Sequence, residues 1–513
     1  MEKLNKLFKY SLYVLPVALF FSYEPVMHFG SDASMNFELS IPLVWLVLFD
    51  TLVFLMFVKE KNFFSGLRRK WMWLLFPVWL SLSILWSLNF VRGMLTVGIM
   101  WLLYFAGYGI WSFRKLLDKE FWRVFLRWFF GASLVICAWC LLQCILDLIG
   151  VSREMSLICA GCTYHMFGFP HPDGFAIEPQ FMGNLLLAPT LVAAWLLVKK
   201  QDSKNLERER SRGDSFYNRS VGVRTKLQFR DSLRDCCKNH AGSRFLGSKF
   251  LLFCFFTNMF TLFLTFSRGA IYAFVVGLLV MSVWVLVEVK AKWKKDILKR
   301  VGLIWGVVVL SFGVALGTQG LMAELSPTND TFKTGVSKVL NHLSLGVIEV
   351  DGNSPVKDTS TEAEVVENSV EKNGEKLEDE QAIFDGYVRE STETRLRLSG
   401  AAMNIWSKDF VTVLFGVGLG GAGQALYVNN LSPAPKEIVQ NQYVSLLLET
   451  GIVGISLFLL TLVLIVRTVM KYDTRVMIIS LLVAFGVSLC FFSGLPNALH
   501  IYLLPMVLLF LLW

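Results

Sequence analysis

Long apolar stretches recur along this chain, each near the ~20 residues that cross a bilayer as a helix, with polar connections between them. They fall near 8–23, 39–58, 71–88, 93–113, 128–149, 179–198, 249–266, 270–289, 301–316, 442–466, 476–492 and 498–513. The pattern predicts about twelve membrane helices. Pro16, Pro42 and Pro77 interrupt three of the runs, which blurs their boundaries without removing them. No small-residue cleavage site follows the first run, so it is expected to be a retained helix. The expected fold is all-α, a polytopic transmembrane helical bundle whose large extracytoplasmic loop carries amphipathic helices.

Composition agrees. The 513 residues are 54% hydrophobic and 17% charged, with a mean hydropathy of +0.53, whereas soluble domains carry about a quarter charged residues. The formal charge of +9 gathers in alternate connections. Lys3/Lys6/Lys9, Lys59/Lys61/Arg68/Arg69/Lys70, Arg114/Lys115/Lys119/Arg123, the segment 199–248, Lys290/Lys292/Lys294/Lys295/Lys299/Arg300 and Arg467/Lys471/Arg475 lie on one side of the predicted bundle. Basic residues are retained on the cytoplasmic side. This places both termini in the cytoplasm and the chain in the cytoplasmic membrane, and it attributes the surplus to topology instead of nucleic-acid binding.

The expected organisation is helices one to six in 1–198, a basic cytoplasmic loop in 199–248, helices seven to nine in 249–316, an extracytoplasmic loop in 317–441, and helices ten to twelve in 442–513. Within the outer loop, 349–380 is dense in Glu362, Glu364, Glu367, Glu371 and further acids, the composition of a disordered stretch. Near 392–407 the residues Leu398, Ala401, Ala402, Ile405 and Trp406 recur at helical spacing. They predict an amphipathic helix lying on the membrane, capped by Ser391 or Thr392, with Arg395 or Arg397 turned toward a site. Among nine cysteines, Cys137, Cys140 and Cys144 follow helical spacing and read as packing residues. Cys159 and Cys162 fall on the outer face, where a structural disulfide can persist. There is no second pair to complete a zinc site, so no metal is expected.

The unusual polar residues also collect on the outer face. Thr265-Phe266-Ser267-Arg268-Gly269 is a very short connection that holds Arg268 at the bilayer surface, where it needs an anion, water or lipid headgroups. The glycine cluster Leu414–Gly423 either offers backbone N–H groups to phosphate oxygens or makes a tight turn, and both readings stay open. The polar block Gln440–Gly454 runs directly into the apolar Ile455–Val466.

In these segments the chain resembles the O-antigen ligase and O-antigen polymerase family of polytopic glycosyltransferases, mainly over 250–470. The resemblance rests on Ser267-Arg268-Gly269, the Arg395-containing helix ending in Trp406, the turn Phe415–Gly420, and the spacing of Asn441, Gly451 and Gly454. Gly174–Phe181, containing Glu178, adds to it. The resemblance implies that a glycan is transferred from a polyprenyl-pyrophosphate donor to a hydroxyl of a glycan, lipid or protein acceptor, on the outer face of the membrane and without cofactor or metal. Arg268 and Arg395, with Arg397, are then the donor pyrophosphate ligands, and Asn441, Gly418 and Gly420 belong to the acceptor site or its turn. The family's general-base histidine position is held by Gln440, which can orient a hydroxyl but not take its proton. Glu449, Glu178 and Glu437 are the candidates to replace it.

Three other functions are compatible with parts of the pattern. A polymerase would join carrier-linked repeats. A glycan-lipid transporter would need charged residues near the midplane, of which Asp50 is one. A non-catalytic donor-binding relative would account for Gln440.

Overall fold

A computed structural model of the protein describes residues 2–22, 27–29, 37–60, 71–149, 169–176, 178–211, 247–288, 294–326, 331–344, 394–432, 435, 439–472, 474–492 and 499–512. Among them the elements are α1 (Glu2–Phe20), α2 (Ile41–Glu60), α3 (Leu75–Ser83), α4 (Phe90–Phe113), α5 (Lys119–Leu148), α6 (Pro179–Ser211), α7 (Ser248–Leu264) and α8 (Arg268–Glu288). They continue as α9 (Lys294–Leu325), α10 (Phe332–Leu343), α11 (394–406), α12 (Phe410–Phe415), α13 (Ala422–Val428), α14 (Gln442–Val469), α15 (Arg475–Ser488) and α16 (Leu499–Leu512). One addition to the all-α expectation is a short antiparallel ladder, Met27–Phe29 against Phe37–Leu39, with His28 opposite Glu38.

Every apolar run read from the sequence falls on a helix. Seven helices among the described residues are long and apolar enough to cross a membrane, and the shorter Trp71–Trp86, Ser248–Leu264 and Arg475–Ser488 are apolar throughout. The chain is therefore a multi-pass helical membrane protein. Of the three interrupting prolines, only Pro16 lies inside a helix. Pro42 and Pro77 stand in the first turns of α2 and α3, where the missing N–H has no intrahelical partner to lose. The basic stretch 199–248 is not all loop, since α6 continues to Ser211. Residues 349–380, Cys159, Cys162 and Glu437 lie outside the described residues.

Helices surrounded by lipid gain little from merely hiding apolar surface, so close packing holds them together. Between α2 and α4 it is achieved at Gly109, where a Cβ would come 2.5 Å from Cγ1 of Val53. Phe8 of α1 packs between Phe49 and Phe113, with ring centroids 5.6 and 5.8 Å apart. Lys9 pairs with Asp118 at 2.6 Å, and the same carboxylate caps α5 by accepting the Phe121 N–H. Cys137, Cys140 and Cys144 are buried, as expected of packing residues. The centre of the molecule is α6, which packs on α7, α8, α9, α15 and α16. Its apolar window is 94% buried, against 11% for that of α14, so the two helices occupy the middle and the periphery.

Candidate functional site

The α7–α8 connection reverses within three residues. Phe266 takes φ 52°, a left-handed backbone that costs a side-chain-bearing residue about 1–2 kcal/mol. Its ring is 4% exposed and meets Phe169, His171 and His342 edge-on, and burial of a ring of this size offsets that cost at about 1.5–3 kcal/mol. Ser267 then caps α8, its Oγ accepting the Ala270 N–H at 3.3 Å and its carbonyl the Ile271 N–H at 2.9 Å. Arg268 is thus the first residue of α8 and only 8% exposed. Its guanidinium is thus carried at the positive end of a helix dipole.

The N-terminal end of α6 is pressed against this turn. A Cβ at Gly183 would come 2.8 Å from Cβ of Ser267, and one at Gly269 would come 2.8 Å from Cβ of Phe491. One turn before Gly183, Gln180 donates to the Phe491 carbonyl at 3.0 Å and accepts from Arg395 Nη2 at 3.5 Å. Arg395 of α11 is thereby brought to the N-terminal end of α6 across 215 residues of sequence. Glu178, exposed at the mouth, is still surrounded closely enough that desolvation raises its carboxyl above the usual range, and Arg395 opposes this.

Two buried groups line the same region. His342, 4% exposed, ends the amphipathic α10, which docks on α9 and is fixed to α8 by the Tyr272 hydroxyl donating to the Leu343 carbonyl. A ring nitrogen of His342 donates to the Phe266 carbonyl; burial first, then Arg268 and Arg395, hold its pKa down to about 3. Asp173 is fully buried, and Gln143 donates to its Oδ1 at 3.0 Å while exchanging hydrogen bonds with the Gly174 backbone. Burial pushes its carboxyl up to about 8.

The second polar group is built around a break in α14. Gly451 has φ 66° and ψ −170°, so the helix stops and restarts. Carbonyls freed within a membrane helix must find other donors. The Leu448 carbonyl accepts from Val417 N–H and the Glu449 carbonyl from Gly418 N–H, both at 2.9 Å, while Thr450 accepts from Trp79 Nε1 at 3.3 Å. This close approach requires glycine. A Cβ at Gly451 would stand 2.2 Å from the Leu414 carbonyl oxygen, and one at Gly418, whose φ is +87°, 2.2 Å from Cα of Ser87.

The glycine cluster makes a tight turn against the α14 break. The N–H groups of Val417, Gly418 and Gly421 are used by main-chain carbonyls, and those of Gly420 and Ala422 by the Glu449 carboxylate. Arg92, at the start of α4, supplies the facing positive charge for Glu449.

The candidates thus separate. Arg268, Arg395, Gln180 and Glu178 converge at the α6–α8 end. Glu449, Gly418 and Gly420 form the anchor of the α14 break. Asn441 caps α14, its Oδ1 accepting from the N–H groups of Tyr443 and Val444. Gln440, half-buried, immediately precedes it. Arg397 is exposed, on the face of α11 away from Leu398 and Ala402. The apolar face of α11 is the one expected, but it covers Ala422, Ala425, Leu426, Val439 and Leu448 and not the membrane surface. Sequence reasoning missed His342, Arg92 and the part played by Gln180. Arg92 alone left a signal, a basic residue in a connection otherwise assigned to the outer side.

Residues 251–459 match the family described as O-antigen ligase. No curated protein and no solved structure matches the chain. The matched span contains Arg268, His342, Arg395, the glycine turn, Gln440 and the α14 break, and leaves out Glu178, Gln180 and Arg92. The motif resemblance and this match agree, and residues 251–459 are similar to the O-antigen ligase family.

Proposed function

We propose that this protein transfers a glycan from a polyprenyl-pyrophosphate carrier to an acceptor hydroxyl at the outer face of the cytoplasmic membrane, within a topology of about twelve spanning helices. The observation that carries the reading is the contact of Arg395 with Gln180 on the same end of α6 that packs against the turn bearing Arg268. Departure of the carrier leaves negative charge on its pyrophosphate, and fixed guanidiniums stabilise that charge as it grows. Glu178 is the proton acceptor in this reading. Its carboxyl is exposed beside Arg395, and a carboxyl raised above its ordinary range is a better match for a hydroxyl proton. Gln440 orients the acceptor, and Glu449 maintains the turn.

Membranes supplied with lipid-linked glycan test this directly. Release of the carrier, measured by mass spectrometry, should fall about 10²–10³-fold for Arg268→Ala and for Arg395→Ala, and strongly for Glu178→Gln, with each variant inserted normally. Full activity in both arginine variants would remove the site from this end of the protein. The product distribution separates a ligase, which moves a finished glycan to a new acceptor, from a polymerase, which lengthens carrier-linked chains.

A further inference from the structure

The α6–α8 end and the start of α14 are separate groups of candidates, and one short segment joins them: the C-terminal end of α15, residues 486–492. We propose that Gln442 is a positioning residue for acceptor transfer, which through this segment and Tyr502 holds the start of α14, and with it Gln440, in fixed register with the α6–α8 end. The inference rests on the reading of Gln440 as the group that orients the acceptor.

The last carbonyls of a helix have no partner within it and must accept from elsewhere. At the end of α15 they are shared between two other helices. On the α6–α8 side, the Phe491 carbonyl accepts from Gln180 Nε2 at 3.0 Å, and the Phe491 ring lies 5.8 Å from that of Tyr272 in α8. Phe492 meets Phe181 of α6 edge-on at 5.1 Å. On the α14 side, the Leu489 carbonyl accepts the Gln442 N–H at 2.9 Å, and the Gly486 carbonyl accepts the Tyr443 hydroxyl at 2.7 Å.

Gln442 is fastened twice. Besides its main-chain bond to Leu489, its Oε1 accepts the hydroxyl of Tyr502 in α16 at 2.7 Å, and the Tyr502 ring lies 6.0 Å from that of Phe492. One hydrogen bond would leave the helix start free to pivot, whereas the second fixes its rotation. Asn441 caps the helix, so the place of Gln440, just outside the cap, follows from where α14 begins. Two hydrogen bonds, Gln442 to Leu489 and Phe491 to Gln180, therefore connect the start of α14 to the residue that Arg395 contacts. A reacting group displaced by about 1 Å can cost about 10²-fold in rate.

The chemistry offers a readout specific to acceptor placement. In transfer, the bond from the anomeric carbon to the pyrophosphate oxygen breaks and its electron pair leaves with the carrier. A bond to the acceptor oxygen forms, and the acceptor's proton passes to Glu178. Water can replace the acceptor with the same balance, giving free glycan. Both outcomes use the same donor end and differ only in the nucleophile. A residue that acts through acceptor placement changes their ratio, and one that only supports the fold lowers both alike.

The test uses cells from which the gene is deleted and to which each full-length variant is returned at matched membrane level, so that their own lipid-linked glycan and acceptor are the probes. Mass spectrometry measures acceptor-linked glycan, free glycan and released carrier. In Gln442→Met the ratio of acceptor-linked to free glycan should fall about tenfold, within reach of one lost hydrogen bond whose partner stays unpaired, while carrier release is maintained. Gln442→Glu should restore the ratio, because a carboxylate still accepts the Tyr502 hydroxyl. Tyr502→Phe should lower it as Gln442→Met does, and the double variant no further, since both changes remove the same contact. An unchanged ratio in Gln442→Met, an equal fall of both products, or a double variant whose loss is the product of the single losses overturns the inference. Tyr502→Phe removes a single oxygen and carries the test if Gln442→Met inserts poorly. Should Arg268→Ala and Arg395→Ala both release carrier at the native rate, the donor reading falls; that outcome is read from carrier release and not from the ratio.

Discussion

Arg395 and Arg397 stand two positions apart, and only one of them faces the site. On a helix that spacing turns side chains to different faces. Leu398, Ala402 and Ile405, buried on one side of α11, fix which arginine is presented to Gln180. The sequence placed both near the outer face, yet it carried no mark of Gln180 as the partner, because the contact joins segments 215 residues apart. Glu449 was equally ambiguous from its position. As an isolated acid at a helix mouth it resembled a base, and only the break beside it shows that its oxygens are spent on Gly420 and Ala422. Asp173 was not legible at all, since its state depends on complete burial beside Gln143. In the fold its carboxyl stays protonated up to about pH 8, whereas in the unfolded chain it ionises near its ordinary value, ~4. With the folded value raised, its stabilising contribution is full at acid pH and is lost as pH climbs toward 8. Asp173→Asn should flatten that decline in melting temperature between pH 5 and 8. An unchanged slope would assign it to another group.

At the scale of elements, hydropathy found the apolar helices but not the interruption of α14. Gly451 stands in an apolar context that reads as continuous helix, and its left-handed backbone is set by what docks there, the Leu414–Gly418 segment. Gly451→Ala should cost more than the ~1–2 kcal/mol that left-handed backbone alone imposes on a side chain. The added Cβ would stand 2.2 Å from a main-chain oxygen that cannot rotate away. Thermal unfolding in detergent checks this, and a variant as stable as the parent would mean that the break is not required. The tight turn of the glycine cluster could be recognised only once the partners of its N–H groups were known. For α11, periodicity gave the apolar face but not what covers it, because a stripe suited to lipid is equally suited to the small residues of α13.

For the whole molecule, the alternation of basic connections is a long-range pattern, and it yields an expected orientation. It assigns Arg397 to the outer side and Lys295 to the cytoplasm. A cysteine introduced at Arg397, which is exposed, should react with a membrane-impermeant maleimide in intact cells, above the labelling of the parent chain. One at Lys295, also exposed, should react only after permeabilisation. The opposite pattern would invert the topology and put Arg268 and Arg395 in the cytoplasm.

The clasp at the α14 break bears on how such a chain is made. Trp79, Val417 and Gly418, the donors, all precede Leu448, Glu449 and Thr450, the acceptors, in the order of synthesis. When the interrupted helix leaves the ribosome, the groups that will close its gap have already been delivered. An interrupted span can then enter lipid without a period in which its carbonyls lack partners. A circular permutant that makes α14 before Trp79 would lose that protection while keeping every contact of the finished fold.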